Sequence, residues 1–124
     1  MHVEGIAFCG VRTTMFDEMD WLFGDIMGMQ STKRTDDMLI WQLPDGGLVE
    51  VFAQDEPEHL DFCTGPVVGF IVDDVGKSRN ELESVGINFL GPMQIVGDRA
   101  YGFFRGPDGN VYEITGPILD DGIS

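Results

Sequence analysis

Positive charge is what this 124-residue chain has least of. Seven cationic residues (Arg12, Lys33, Arg34, Lys77, Arg79, Arg99 and Arg105) stand against 22 acidic ones, giving a formal net charge of −15. Only Lys33 and Arg34 are adjacent. Such a surface repels a phosphate backbone, which argues against nucleic acid as a partner, and anionic membranes are disfavoured for the same reason. Cysteine is almost as scarce. Cys9 and Cys63 form no C-x-x-C pattern. They are expected to be reduced, buried thiols of a cytoplasmic protein rather than a disulfide scaffold. Histidine is confined to His2 and His59, whereas a tight metal site wants imidazole or a larger ligand set. No apolar run approaches the ~20 residues of a membrane helix. The opening Met1-His2-Val3-Glu4 has no basic stretch leading into an apolar one, so no signal peptide is expected.

What is present is bulky apolar material: 43% hydrophobic residues, with nine Phe and two Trp. That excludes a disordered chain and fits one compact domain. The most informative feature is an internal repeat. Residues 44–51 read Pro-Asp-Gly-Gly-Leu-Val-Glu-Val, and residues 107–114 read Pro-Asp-Gly-Asn-Val-Tyr-Glu-Ile. Pro fixes φ, Asp caps its own backbone and Gly accepts positive φ, so each Pro-Asp-Gly predicts a turn. Each turn leads into a strand that carries one glutamate, Glu50 or Glu113, at the same register.

The repeat extends upstream. Gly5-Ile6-Ala7-Phe8 and Val67-Val68-Gly69-Phe70 are expected strands, each followed by a helix that stops at a glycine. In the first helix Met15, Met19, Leu22, Phe23, Ile26 and Met27 recur at helical spacing and predict one buried face. Thr14 with Asp17 predicts a capping box, and Gly28 the left-handed stop. In the second helix Asp74 is the expected N-cap, Val75, Leu82 and Val85 the buried stripe, and Gly86 the stop. Strands are then predicted over 29–34, 38–43 and 48–54, and over 87–91, 100–105 and 110–116. Each half therefore reads β-α-β-β-β. The organisation expected is one domain over 1–124, with module one at 1–54, a polar linker at 55–65 and module two at 66–118.

A duplicated β-α-β-β-β unit resembles the module of the vicinal oxygen chelate superfamily, the fold of glyoxalase I, bleomycin-resistance proteins and extradiol dioxygenases. Four stretches carry the resemblance: Gly5-Ile6-Ala7-Phe8, Trp21 to Gly28, Phe70 to Val75, and above all Phe104-Arg105-Gly106-Pro107-Asp108-Gly109-Asn110-Val111-Tyr112-Glu113. The resemblance spans residues 3 to 117. It implies an α+β fold in which two paired modules form a half-open cup of mixed sheet. It also implies a divalent metal held by the first and last strand of each module. The last-strand ligands match as Glu50 and Glu113. The first-strand histidine position falls on Gly5 in one module and on Val67 or Val68 in the other, and none of these binds a metal through its side chain.

Strand alternation sorts the neighbours. If Glu50 faces the cup, Leu48 and Phe52 do too, while Val49 and Val51 pack on the helices. Val111, Glu113 and Thr115 share a face, with Tyr112 and Ile114 behind. Gly5, Ala7, Cys9, Glu50, Phe52, Val67, Gly69 and Glu113 are the expected cup lining. Trp41 and Tyr101 are further wall candidates, and Arg105 or Tyr101 are donors for the glutamates. Small residues on the cup floor make room for an apolar ligand, and bleomycin-resistance proteins hold a cationic drug there without chemistry. The leading reading is a superfamily protein that binds a small organic molecule without metal or other cofactor, as a homodimer. The alternative is a divalent-metal-dependent lyase, isomerase or dioxygenase in which Glu50 and Glu113 serve as ligands or as acid and base. His2 points away from Gly5 on a regular strand and His59 lies in the linker, so both read as surface histidines. A partner-binding module without a small ligand is the third class left open.

Overall fold

The structure, a computed structural model, describes residues 1–63 and 65–119. Thr64 of the expected linker and residues 120–124 of the expected domain lie outside the described residues. Two helical segments and eight strands in mixed parallel and antiparallel pairing make up an α+β fold. The chain divides into two compact units, Phe8–Val67 and Met1–Ala7 with Val68–Ser124. Strand β1 (Val3–Thr13) contributes its second half to the former and its first half to the latter.

In the unit over Phe8–Val67 the strand order is β2 (Gln30–Arg34), β3 (Met38–Gln42), β4 (Leu48–Ala53), β1. β2, β3 and β4 run antiparallel, and β4 lies parallel to β1. Leu39, Trp41 and Val51 are buried on one face. Val11, Phe16, Met19, Phe23, Met29 and Val49 pack on them. The helix that covers this face departs from expectation. α1 (Phe16–Asp20) is capped at Met15 with no side-chain hydrogen bond, so the Thr14–Asp17 capping box is absent. Thr13 Oγ1 instead accepts from the Met15 N–H. From Trp21 to Ile26 the backbone is π-helical, and the Met27 N–H reaches the Leu22 carbonyl five residues back. A wider turn rotates later side chains away from a stripe drawn at 3.6 residues. Phe16, Met19 and Phe23 reach the core, while Ile26 and Met27, expected inside but set in or just past the wider turn, are exposed, as is Met15 at the N-cap. Gly28 does end the segment at φ +66°.

In the second unit β5 (Val67–Val72) lies between the start of β1 and β8 (Val111–Pro117), followed by β7 (Arg99–Arg105) and β6 (Gln94–Val96). α2 (Val75–Ser84) starts as expected, Asp74 accepting from the Lys77 N–H, and Gly86 comes just after it at φ +92°. Val72, Val75, Ala100 and Ile114 form the core, with Leu82, Phe89, Met93 and Phe104 against them. Val85, expected in the buried stripe, is exposed. The strand predicted over 87–91 is also corrected. Phe89 makes a single bridge to Phe104, and the edge strand forms later. Pro92 has no N–H to give a ladder, so pairing resumes only beyond it.

The repeat is visible at atomic detail. In both turns the central glycine has positive φ, +91° at Gly46 and +81° at Gly109. In both the aspartate Oδ1 accepts from the backbone N–H two residues on, Asp45 from Gly47 and Asp108 from Asn110. Leu43 and Gly106 then close the turns with the same pair of backbone bonds.

Candidate functional site

Each turn launches a strand whose glutamate lies on the face away from the helix. In β4, Val49 and Val51 pack toward α1, which turns Leu48, Glu50 and Phe52 to the other side. Register places Gly10 of β1 on one flank of Glu50 and Ile40 of β3 on the other. Lys33, paired with Ile40 across β2, completes the row. Glu50 is half-buried, and among the described residues nothing hydrogen-bonds its carboxyl. Loss of solvent raises its pKa from 4.5 to about 7, and the Lys33 charge opposes that rise only in part. A carboxyl that titrates near neutrality can accept a hydrogen bond, pair with a cation or carry a proton.

One end of this face is closed by the segment expected as a polar linker. Phe62 stacks on Phe8 and meets Phe52 edge-on. His59 lies flat over Phe52, ring centres 3.9 Å apart. Its Nδ1 is 2.7 Å from Oε2 of Glu56, and Glu56 Oε1 accepts from the Glu58 N–H. Glu56 is itself only 4% exposed. His59 is thus not a free surface histidine but a half-buried ring stacked on Phe52, two residues along the strand from Glu50. Phe52, expected as lining, is fully buried beneath it. Gly10 is the floor on which these rings rest, since a Cβ there would stand 2.9 Å from Phe8 Cε2 and 3.3 Å from Phe62 Cε2. Arg12, level with Phe52, donates through Nη2 to the Gln54 carbonyl.

In the second unit Ile114 packs in the core, so Val111, Glu113 and Thr115 share the helix-free face. Glu113 is 8% exposed and stands between Gly69 of β5 and Phe103 of β7. Tyr101 lies across from Thr115, and Arg105 across from Val111. The Arg105 Nη1 donates to the Gly109 carbonyl in the turn. Both glutamates therefore have a glycine as their parallel-strand neighbour, Gly10 and Gly69.

The other expected lining residues divide between core, strand face and surface. Val67 is fully buried, and Gly69 is buried beside Glu113. Gly5 and Ala7 belong to the half of β1 in the second unit, and a Cβ on Gly5 would meet open space. Cys9 pairs with Val49, on the opposite face from Glu50, so the place expected for it belongs to Gly10. Both thiols, Cys9 and Cys63, are exposed rather than buried. Trp41 is in the core, edge-on to Phe23. The His2 backbone pairs with Asp73, and its residue is exposed. Gly10, Glu56, His59 and Phe62 are what sequence reasoning overlooked. Aligning Phe8-Cys9-Gly10-Val11, rather than Gly5-Ile6-Ala7-Phe8, with Val67-Val68-Gly69-Phe70 would have found Gly10.

The metal implied by the resemblance meets a poor donor set. Glycines occupy the strand positions beside Glu50 and Glu113, and among the described residues no three His, Cys, Asp or Glu side chains come together. An open groove of about 710 Å³ lies elsewhere in the first unit, lined by Met27, Met29, Gln42, Leu43 and neighbours. It holds no ionisable side chain. Among the described residues no helix is long and apolar enough to cross a membrane.

The sequence matches no protein-family model and no curated protein. Solved structures do match. The Mn(II)-bound glyoxalase from Novosphingobium aromaticivorans aligns with a TM-score of 0.74 at 15% identity, over 95% of this chain and 42% of that one. Methylmalonyl-CoA epimerase from Mycobacterium tuberculosis aligns at 0.66 with 18% identity, over 94% and 90%. A glyoxalase/bleomycin resistance protein/dioxygenase superfamily member from Vibrio splendidus 12B01 aligns at 0.63 with 16% identity, over 93% and 99%. The fold of this chain is the one these superfamily structures share.

Proposed function

We propose that the protein binds a small organic molecule on the Glu50 face, without the metal usual in proteins of this fold. The observation that carries the reading is Glu50 itself: a half-buried carboxyl, unmatched by any hydrogen bond among the described residues, on the face its helix leaves uncovered. A partly desolvated carboxyl gains more from a ligand's donor than a fully solvated one does. The ligand class that fits is an organic cation or hydrogen-bond donor with an apolar body. The net charge of −15 draws cations toward the protein. Ile40 and Leu48 offer apolar contact beside the carboxyl. Homodimerisation belongs to the same reading, because β2 and β6 are edge strands and Ile95 and Val96 on β6 are exposed. A cytoplasmic setting would keep the exposed thiols reduced.

A thermal-shift screen of organic amines and amidines tests this, since a ligand that binds only the folded state raises the melting temperature. Hits are expected on chelator-treated protein, and Glu50→Gln should weaken them by roughly 1.5–3 kcal/mol, the scale of a hydrogen bond to a charged group. A screen whose hits appear only after adding a divalent metal would favour the lyase, isomerase or dioxygenase alternative instead.

A further inference from the structure

Glu56 and His59 form a pair that neither the repeat nor the family resemblance accounts for. Glu56 is nearly buried and uses both carboxyl oxygens, one on the Glu58 N–H and one on His59 Nδ1. An ionised carboxylate only accepts, so the shared hydrogen sits on Nδ1. When the ring is neutral its lone pair is then on Nε2, the tautomer a carboxylate partner selects. Among the described residues nothing bonds that nitrogen. The ring is held flat on Phe52 at 3.9 Å and edge-on to Phe62 at 5.2 Å, yet 21% of the side chain remains exposed. Phe52 and Glu50 share a strand face two residues apart, about 6.6 Å at the usual rise.

We infer that His59, oriented by Glu56, is the second acceptor of the ligand site and specifies a protonated amine or amidine on a flat apolar frame. The inference rests on the proposed function. Glu50 takes one N–H of the ligand and His59 Nε2 takes another, while the apolar frame lies against the neighbouring side chains. A neutral imidazole accepts without adding negative charge, so two acceptors are presented to one cation at the cost of a single buried carboxylate on the face itself. Glu56 is then a positioning residue, acting through the ring it orients. The alternative is a ring that serves only to seal Phe52.

Benzamidine, a flat ring with an amidinium, is the probe. Long-range proton–nitrogen NMR of the two histidines in the wild-type protein comes first. In its neutral form the His59 ring is expected with hydrogen on Nδ1 and none on Nε2, and benzamidine should move the His59 Nε2 resonance while leaving His2 in place. A free protein whose His59 carries its hydrogen on Nε2 overturns the assignment whatever the variants do. His59→Phe retains the stacked ring but not the acceptor, and is expected to weaken benzamidine about tenfold, the effect of one hydrogen bond. Glu56→Gln should weaken it less and should shift the tautomer balance, which a purely sealing ring would not show. Wild-type binding lost in Glu50→Gln but unchanged in His59→Phe overturns this inference and leaves the Glu50 reading standing. Binding indifferent to Glu50→Gln overturns that reading, and no binding of benzamidine overturns the ligand class inferred here.

Discussion

Glu50 is the residue on which most depends, and its environment has a thermodynamic signature. Burial raises its folded-state pKa from 4.5 to about 7. Between those values the folded protein holds a proton that the unfolded chain releases, so stability falls as pH rises through this window. The loss is on the order of 2–3 kcal/mol, at 1.36 kcal/mol per unit. Asp20, Asp73 and Asp108 are shifted downward by hydrogen bonds, chiefly from Arg34, the His2 backbone and Tyr112 respectively, and act in the opposite sense at lower pH. Denaturant titrations from pH 4.5 to 8 should therefore show wild type losing stability while Glu50→Gln stays level and ends the more stable of the two. Parallel curves would mean that Glu50 is solvated. Both glutamates were legible in the sequence because a Pro-Asp-Gly turn fixes the register of the strand it launches. His59 and Glu56 were not, because nothing in a polar stretch says that its two ring-bearing residues, His59 and Phe62, will fold back onto Phe52.

At the scale of elements, the sequence spoke clearly where one residue dictates backbone geometry. Gly28, Gly46, Gly86 and Gly109 all sit at positive φ where turns or stops were expected. Asp74 caps α2 as expected, so Asp74→Ala should cost about 1 kcal/mol in chemical denaturation. Periodicity failed where geometry itself changed: a 3.6-residue stripe cannot foresee a π-helical stretch over Trp21–Ile26. Glycine packing separates two further cases. A Cβ on Gly116 would stand 2.3 Å from the Val72 carbonyl oxygen, which is backbone. On Gly102 the nearest atom is Sδ of Met93 at 2.5 Å, on a flexible side chain. Gly116→Ala is therefore expected to destabilise by about 2–3 kcal/mol and Gly102→Ala by roughly 1 kcal/mol. Equal losses would contradict the packing of β8 against the end of β5.

For the whole molecule, the repeated β-α-β-β-β pattern was readable because both halves share turn chemistry and apolar alternation. The assignment of β1 was not, because an 11-residue strand serves two units and its register beside β4 is set by pairing rather than composition. Purified protein is expected to hold well under one equivalent of Ni, Zn, Fe or Mn by elemental analysis, and to melt unchanged after chelation. Stoichiometric metal would promote the enzyme alternative. Light scattering is expected to give a dimer, and a monomer at every concentration would count against the edge-strand argument. The most direct test of the central claim is the dissociation constant of the strongest amine or amidine hit, one whose own charge is constant, measured by calorimetry from pH 5.5 to 8.5. In wild type the affinity should tighten as pH rises through about 7, where Glu50 loses its proton. In Glu50→Gln it should be weaker and flat. A wild-type profile that is flat, or one that Glu50→Gln reproduces, would contradict the account.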